Sequence, residues 1–157
     1  FSTKEKLQSL NDIDQFIFKG IKAKLNVIIK DEKEHNMRKY LNLGHTFGHA
    51  VEYKTKIPHG HAVMIGIIYQ FIVANILLDT QFDISYYANY LKKLHYPVQI
   101  VQQLNFNDMY HYMLTDKKNN GEGIQMVLLE ELGKPRVCHV EKTILIKAFN
   151  DLQLVLK

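Results

Sequence analysis

Only three prolines (Pro58, Pro97 and Pro135) and eight glycines are spread over 157 residues, and long stretches carry neither. Proline lacks the amide hydrogen a helix needs and clashes with the preceding turn, while glycine loses too much backbone freedom. Their scarcity therefore favours helices over a many-stranded fold. The apolar residues agree. From Lys4 to about Lys30, Leu7, Leu10, Ile13, Phe16, Ile17, Ile21, Leu25 and Ile28 recur at three- and four-residue steps. That spacing predicts a long amphipathic helix, or two in tandem with a break near Gly20. The charged run Lys30-Asp31-Glu32-Lys33-Glu34 reads as its end and a connector.

Further helices are predicted from about Met37 to Tyr53 and, after Pro58-His59-Gly60, from about His61 to Leu78. Shorter ones are predicted over Ser85–Leu94, Val98–Leu104 and Phe106–Leu114. The runs Ile124–Leu129 and Arg136–Val140 flank Gly133-Lys134-Pro135 and read as a β-hairpin, before a last helix from Glu141 to about Leu156. The expected fold class is mainly α, a multi-helix arrangement with one small β-hairpin, and the length suits one domain over residues 1–157.

Composition narrows the partners. The formal charge of +4 suits an anionic ligand, but no basic run interleaved with aromatics supports nucleic acid. The stretch Ala62–Leu78 is interrupted by Gln70 and Asn75, so no membrane passage is predicted. One cysteine, Cys138, cannot form an internal disulfide and fits a reducing, cytoplasmic setting; in a predicted strand it reads as a buried hydrophobe. The chain starts at Phe1 rather than Met, which reads as a cut or an internal start with a preceding segment missing.

The densest signal is Arg38-Lys39-Tyr40-Leu41-Asn42-Leu43-Gly44-His45-Thr46-Phe47-Gly48-His49-Ala50. On a helix, Arg38, Asn42, His45 and His49 would share an arc of about 60° and a stripe about 16 Å long, enough to address several groups of a small polar substrate. Gly44 and Gly48 would fall on another face, where glycine in a helix implies close approach of a neighbour. His59-Gly60-His61 follows after a short connector. A helical i, i+4 histidine pair with a third histidine nearby is a workable ligand set for zinc and related divalent metals. Packed or surface histidines without a metal are the plainer alternative. Lys24 alone reads as a solvated helix lysine, and Asp116-Lys117-Lys118-Asn119 as a polar loop whose lysines could meet phosphate. The pairs Tyr86-Tyr87 and Tyr110/Tyr112 read as packing residues.

The pattern Arg-x-x-x-Asn-x-Gly-His-Thr-Phe-Gly-His-Ala-Val-Glu, followed by His-Gly-x-Ala-Val, closely resembles the 3-dehydroquinate synthase family. The likeness extends to Lys24, fourteen residues before Arg38, and to the Asp116–Asn119 loop, so that it covers nearly the whole chain. It implies the helical C-terminal domain of an enzyme that converts 3-deoxy-D-arabino-heptulosonate 7-phosphate into 3-dehydroquinate and phosphate, a shikimate-pathway step. It also implies a divalent metal, zinc or cobalt, and NAD bound mainly by an N-terminal domain absent from this chain. A transient oxidation of a ring hydroxyl by NAD would acidify the neighbouring C–H and let phosphate leave. By position, His45 and His59 would be metal ligands. Lys24, Arg38, Asn42, His49 and one or both of Lys117 and Lys118 would contact the sugar acid phosphate, His49 also relaying protons. The parent enzyme would be a homodimer.

Two departures matter. The family's third metal ligand, a glutamate, would lie upstream of Phe1, so the chain by itself is expected to bind metal weakly and to have negligible synthase activity. His61 stands where the family usually has glutamate, and it could be a harmless variant, a supporting partner or a rival ligand. The alternatives to a dehydroquinate synthase are a related sugar-phosphate cyclase, a metal-dependent polyol dehydrogenase, or a helical binding module without chemistry.

Overall fold

The computed structural model describes residues 13–31, 37–115 and 123–157. These fall into two compact units, Phe1–Leu41 and Asn42–Lys157. In the first, helix α1 (Ile13–Lys30) runs through Gly20 without a break, so the tandem alternative is not needed from Ile13 onward. The N-terminal part of that predicted helix, 4–12, lies outside the described residues. Arg38 donates its backbone N–H to the Asp31 carboxylate at 3.0 Å.

The second unit carries α2 (His45–Thr55), α3 (His59–Leu77), α4 (Ile84–Lys93), α5 (Phe106–Leu114), strands β1 (Ile124–Glu131) and β2 (Lys134–Val140), and α6 (Lys142–Val155). The mainly helical class with one hairpin is what the structure has. Helix α3 is its axis, packing against α2, α4, α6 and β1. It is long and apolar enough by length and composition to cross a membrane, yet more than half of that span is buried inside the protein. Phe47 of α2 stacks on Tyr69 of α3 with ring centroids 4.1 Å apart and meets Phe149 of α6 edge-on. Each such side chain contributes about 1.5–3 kcal/mol on burial. The Tyr69 hydroxyl, fully enclosed, donates to the Leu145 carbonyl at 2.8 Å and ties α3 to α6.

Local chemistry sets the ends. The side chain of Asp83 accepts from the Tyr86 amide at the start of α4, and that of Asn105 from the Asn107 amide at the start of α5. The strands pair antiparallel from Ile124 against Val140, and Gly133, at φ 90°, supplies the left-handed residue of the turn.

Two predicted helices come out differently. Val98–Gln103 is a 3-10 helix. The continuous helix expected from Met37 to Tyr53 is instead a 3-10 helix, Met37–Asn42, followed by a turn and then α2. The break is Gly44, left-handed at φ 80°. An α-helix cannot pass through that conformation, so the 100° periodicity does not carry across it.

Candidate functional site

The turn between α2 and α3 brings three imidazoles together. His45 is the first residue of α2, His49 lies one turn further along, and His59 is the first residue of α3. Their ring centroids are 5.3 Å apart for His45–His49, 5.4 Å for His45–His59 and 5.7 Å for His49–His59. One ligand nitrogen from each lies within 4.8 Å of the others. Lys56 makes the corner possible by taking a left-handed conformation after α2, its N–H returning to the Glu52 carbonyl.

Close packing of the two helices holds the corner. A Cβ on Gly48 would sit 3.0 Å from the Cα of Val63, and one on Gly66 would overlap the Gly44 carbonyl. The expectation that glycine marks close approach therefore holds for Gly48 inside its helix and for Gly44 in the turn before it.

Two of the rings are oriented by their other nitrogen. His45 Nδ1 lies 3.0 Å from the Leu43 carbonyl, an acceptor only, so Nδ1 carries the proton and donates. His59 Nδ1 donates to Glu52 Oε2 at 2.8 Å. In the neutral rings both Nε2 atoms are then left as lone-pair donors, the arrangement metal-binding histidines adopt. The hydrogen bond from His59 holds the Glu52 carboxyl below the usual range, reinforced by the nearby imidazoles and opposed by partial desolvation. Three imidazole nitrogens are a fitting donor set for a borderline-soft divalent cation and for neither calcium nor magnesium. His49 also opens on a cleft of about 450 Å³ lined by Thr46, His49, Ala50, Tyr53, Tyr112 and Thr115.

The other residues singled out from the sequence are distributed differently. Arg38 and Asn42 belong to the 3-10 helix ahead of Gly44, so the four-residue stripe with His45 and His49 does not form as a single helical face. Lys24 is exposed on α1 in the first unit. Lys117 and Lys118 lie outside the described residues. His61 is not in the cluster: its ring packs on Tyr96 with centroids 4.7 Å apart. Cys138 is half-buried and desolvation pushes its thiol up, which keeps it unreactive. Of the tyrosines, Tyr87 packs on Phe71, Tyr110 on Phe106 and Tyr112 on Tyr53, whereas Tyr86 is largely exposed. Sequence reasoning missed Glu52, although its place three residues after His49 and seven after His45 puts it on the same helical face.

A helical unit built on a buried central helix thus brings three histidines together at one corner as a candidate metal site. The family described as 3-dehydroquinate synthase C-terminal matches residues 2–119, and the chain belongs to it. Among curated relatives, the 3-dehydroquinate synthase of Staphylococcus haemolyticus (strain JCSC1435) is 99% identical over all 157 residues. Those of Staphylococcus epidermidis (strain ATCC 12228) and Staphylococcus aureus (strain JH9) are 60% and 55% identical over the same span. In each case the chain spans 44% of the relative's length. A solved 2-deoxy-scyllo-inosose synthase, complexed with carbaglucose-6-phosphate, NAD+ and Co2+, superposes with a TM-score of 0.76 at 26% identity, over 96% of this chain and 47% of that one. A second structure of a 2-deoxy-scyllo-inosose synthase, with a TM-score of 0.68 at 24% identity, shares the fold.

Proposed function

We propose that this chain is the metal- and substrate-binding part of a 3-dehydroquinate synthase, which converts 3-deoxy-D-arabino-heptulosonate 7-phosphate to 3-dehydroquinate and phosphate. The observation that carries the reading is the convergence of His45, His49 and His59 with the Nδ1 atoms of His45 and His59 already committed to acceptors. Relatives at 55–99% identity favour this reaction over a sibling cyclase or a polyol dehydrogenase. NAD would be held mainly by an N-terminal domain of the full-length protein, in keeping with the chain's 44% share of its relatives' length. The full-length enzyme would be cytoplasmic and homodimeric.

His45 and His59 would hold a zinc or cobalt ion through Nε2. The ion supplies Lewis-acid polarisation of substrate oxygens when bound. Glu52 keeps the His59 ring turned toward the site by accepting from its Nδ1. His49, exposed at the mouth of the cleft, is the group able to accept and return a proton at a ring nitrogen while its neighbours are engaged. Lys24, Arg38, Asn42 and one or both of Lys117 and Lys118 would bind the substrate, the cations meeting its carboxylate and phosphate.

Calorimetric titration with Zn2+ or Co2+, alongside a phosphate-release assay, tests the reading on the chain, its His45→Ala variant and the full-length relative. Tight binding of one metal and turnover by the full-length protein are expected, with weak binding and negligible turnover by the chain alone. His45→Ala should abolish binding in both. Robust turnover by the isolated chain, or metal binding untouched by His45→Ala, would sink it.

A further inference from the structure

We propose that Gln70 is a positioning residue for His45, acting through the backbone amide of Gly44; the inference rests on the metal reading above. Gln70 is fully enclosed in the middle of α3, among side chains that are otherwise apolar. A buried amide is costly unless its hydrogen-bonding groups find partners. Only half of this one does. Its Oε1 accepts the N–H of Gly44, while its Nε2 has no hydrogen-bond partner among the described residues. An apolar residue of similar size would avoid that penalty, so the bond to Gly44 is the contribution that distinguishes glutamine here.

Gly44 needs such an acceptor. It stands at the N-cap of α2 in the left-handed conformation, and its carbonyl takes the Gly48 N–H at 3.0 Å as the first bond of the helix. Its own N–H precedes the helix and has no intrahelical acceptor. Helix α3 meets this turn with one stripe, Val63, Gly66, Ile67 and Gln70, spaced as i, i+3, i+4 and i+7. Val63 and Ile67 leave no room for a side chain at Gly44, Gly66 admits the Gly44 carbonyl, and Gln70 takes the amide.

His45 follows directly, and its Nδ1 is anchored on the carbonyl of Leu43, the residue before Gly44. Rotation of the Gly44 turn would therefore move both the Cα of His45 and the acceptor that fixes its ring. The same helix begins with His59. Gln70 thus references the His45 turn to the element that carries the other proposed ligand.

The test uses the full-length Staphylococcus haemolyticus relative, 99% identical over these residues, with Co2+ as the probe and substitutions in this chain's numbering. Gln70→Met fills a similar volume without a hydrogen-bond acceptor. Gln70→Glu keeps a carboxyl oxygen in its place. Leu152→Ala, in the buried core of α6, controls for general loss of stability. Hydrogen–deuterium exchange of the peptide covering Gly44 and the visible-band Co2+ titration are read together. Gln70→Met is expected to speed exchange at Gly44 and weaken Co2+ binding by about tenfold or more, the size typical of outer-sphere partners, with an altered visible spectrum. Gln70→Glu should restore both toward wild type, and Leu152→Ala should leave both unchanged. If Gln70→Met does not fold, the Gln70→Glu result decides: affinity and exchange no better than tenfold impaired overturn the proposal. Co2+ binding by Gln70→Met equal to wild type or to Leu152→Ala overturns the positioning role alone, provided His45→Ala still abolishes binding. Should His45→Ala bind Co2+ normally, the metal reading falls and the positioning role falls with it.

Discussion

The Nδ1 of His59 and the Oε2 of Glu52, 2.8 Å apart, link the first residue of α3 to the last full turn of α2. Both side chains are well exposed, at 51% and 38%, so the pair adds little to folding on its own. Its effect falls on the proposed ligand it orients. Glu52→Ala is expected to weaken Zn2+ or Co2+ binding by about 10–100-fold, with Glu52→Gln, which retains an acceptor oxygen, less affected. Thermal unfolding without metal should barely change for either. Calorimetry paired with a melt separates the two effects; a large loss of stability at unchanged affinity would make the pair structural instead.

Gly66 meets the backbone of Gly44, and the contact is with a carbonyl rather than with the end of a flexible side chain. Alanine is better than glycine inside a helix by about 1 kcal/mol, which argues for stabilisation. Overpacking against an unyielding backbone typically costs about 1–3 kcal/mol and here displaces the whole α2–α3 corner, so Gly66→Ala should be destabilising on balance. Urea denaturation would check the sign. A gain in stability would mean that the corner relaxes easily.

Tyr69 contributes through both its ring and its hydroxyl. Burial pushes the phenol far above its ordinary range, so it stays protonated and donates to Leu145. Tyr69→Phe keeps the stack on Phe47 and loses one buried hydrogen bond, an expected cost of about 1 kcal/mol. Tyr69→Ala also removes the ring and should cost about 3–5 kcal/mol. The ratio of the two losses in urea titrations reports how the tie to α6 is divided between bond and packing.

Local chemistry made much of the fold legible. The limits of α5 agree with Phe106–Leu114 because Asn105 caps it with its own side chain, a signal contained within a few residues. The hairpin was readable for the same reason, since Gly133 turns the chain between two apolar runs. The helix drawn through Met37–Tyr53 failed where the deciding contact is distant. Gly44 turns left-handed against Gly66 and Gln70 on α3, and the hydrogen bond that its N–H donates to Gln70 spans 26 residues of sequence. Periodicity cannot register such a contact. The histidines were visible as residue types, and their convergence depends on Lys56 and Gly48 allowing α2 and α3 to fold back closely. Glu52 shares the helical face of His45 and His49 by spacing, but its partner His59 lies on the next helix, which spacing alone does not reveal.

His61 follows His59 by two residues in sequence, yet it faces Tyr96, with ring centroids 4.7 Å apart. Its buried Nδ1 has no hydrogen-bond partner among the described residues, and neither of its ring nitrogens joins the cluster of His45, His49 and His59. Of the roles open to it from sequence, this geometry disfavours a rival ligand. His61→Ala should therefore leave metal stoichiometry unchanged and affinity within about threefold, as for a substitution away from the site. His45→Ala and His59→Ala should abolish binding. Replacing His61 with Phe would keep an aromatic ring against Tyr96 while removing the unpaired polar atom, and should raise stability by about 0.5–1 kcal/mol. A tenfold loss of Zn2+ affinity in His61→Ala would instead mean that His61 swings into the site and supplies a ligand of its own.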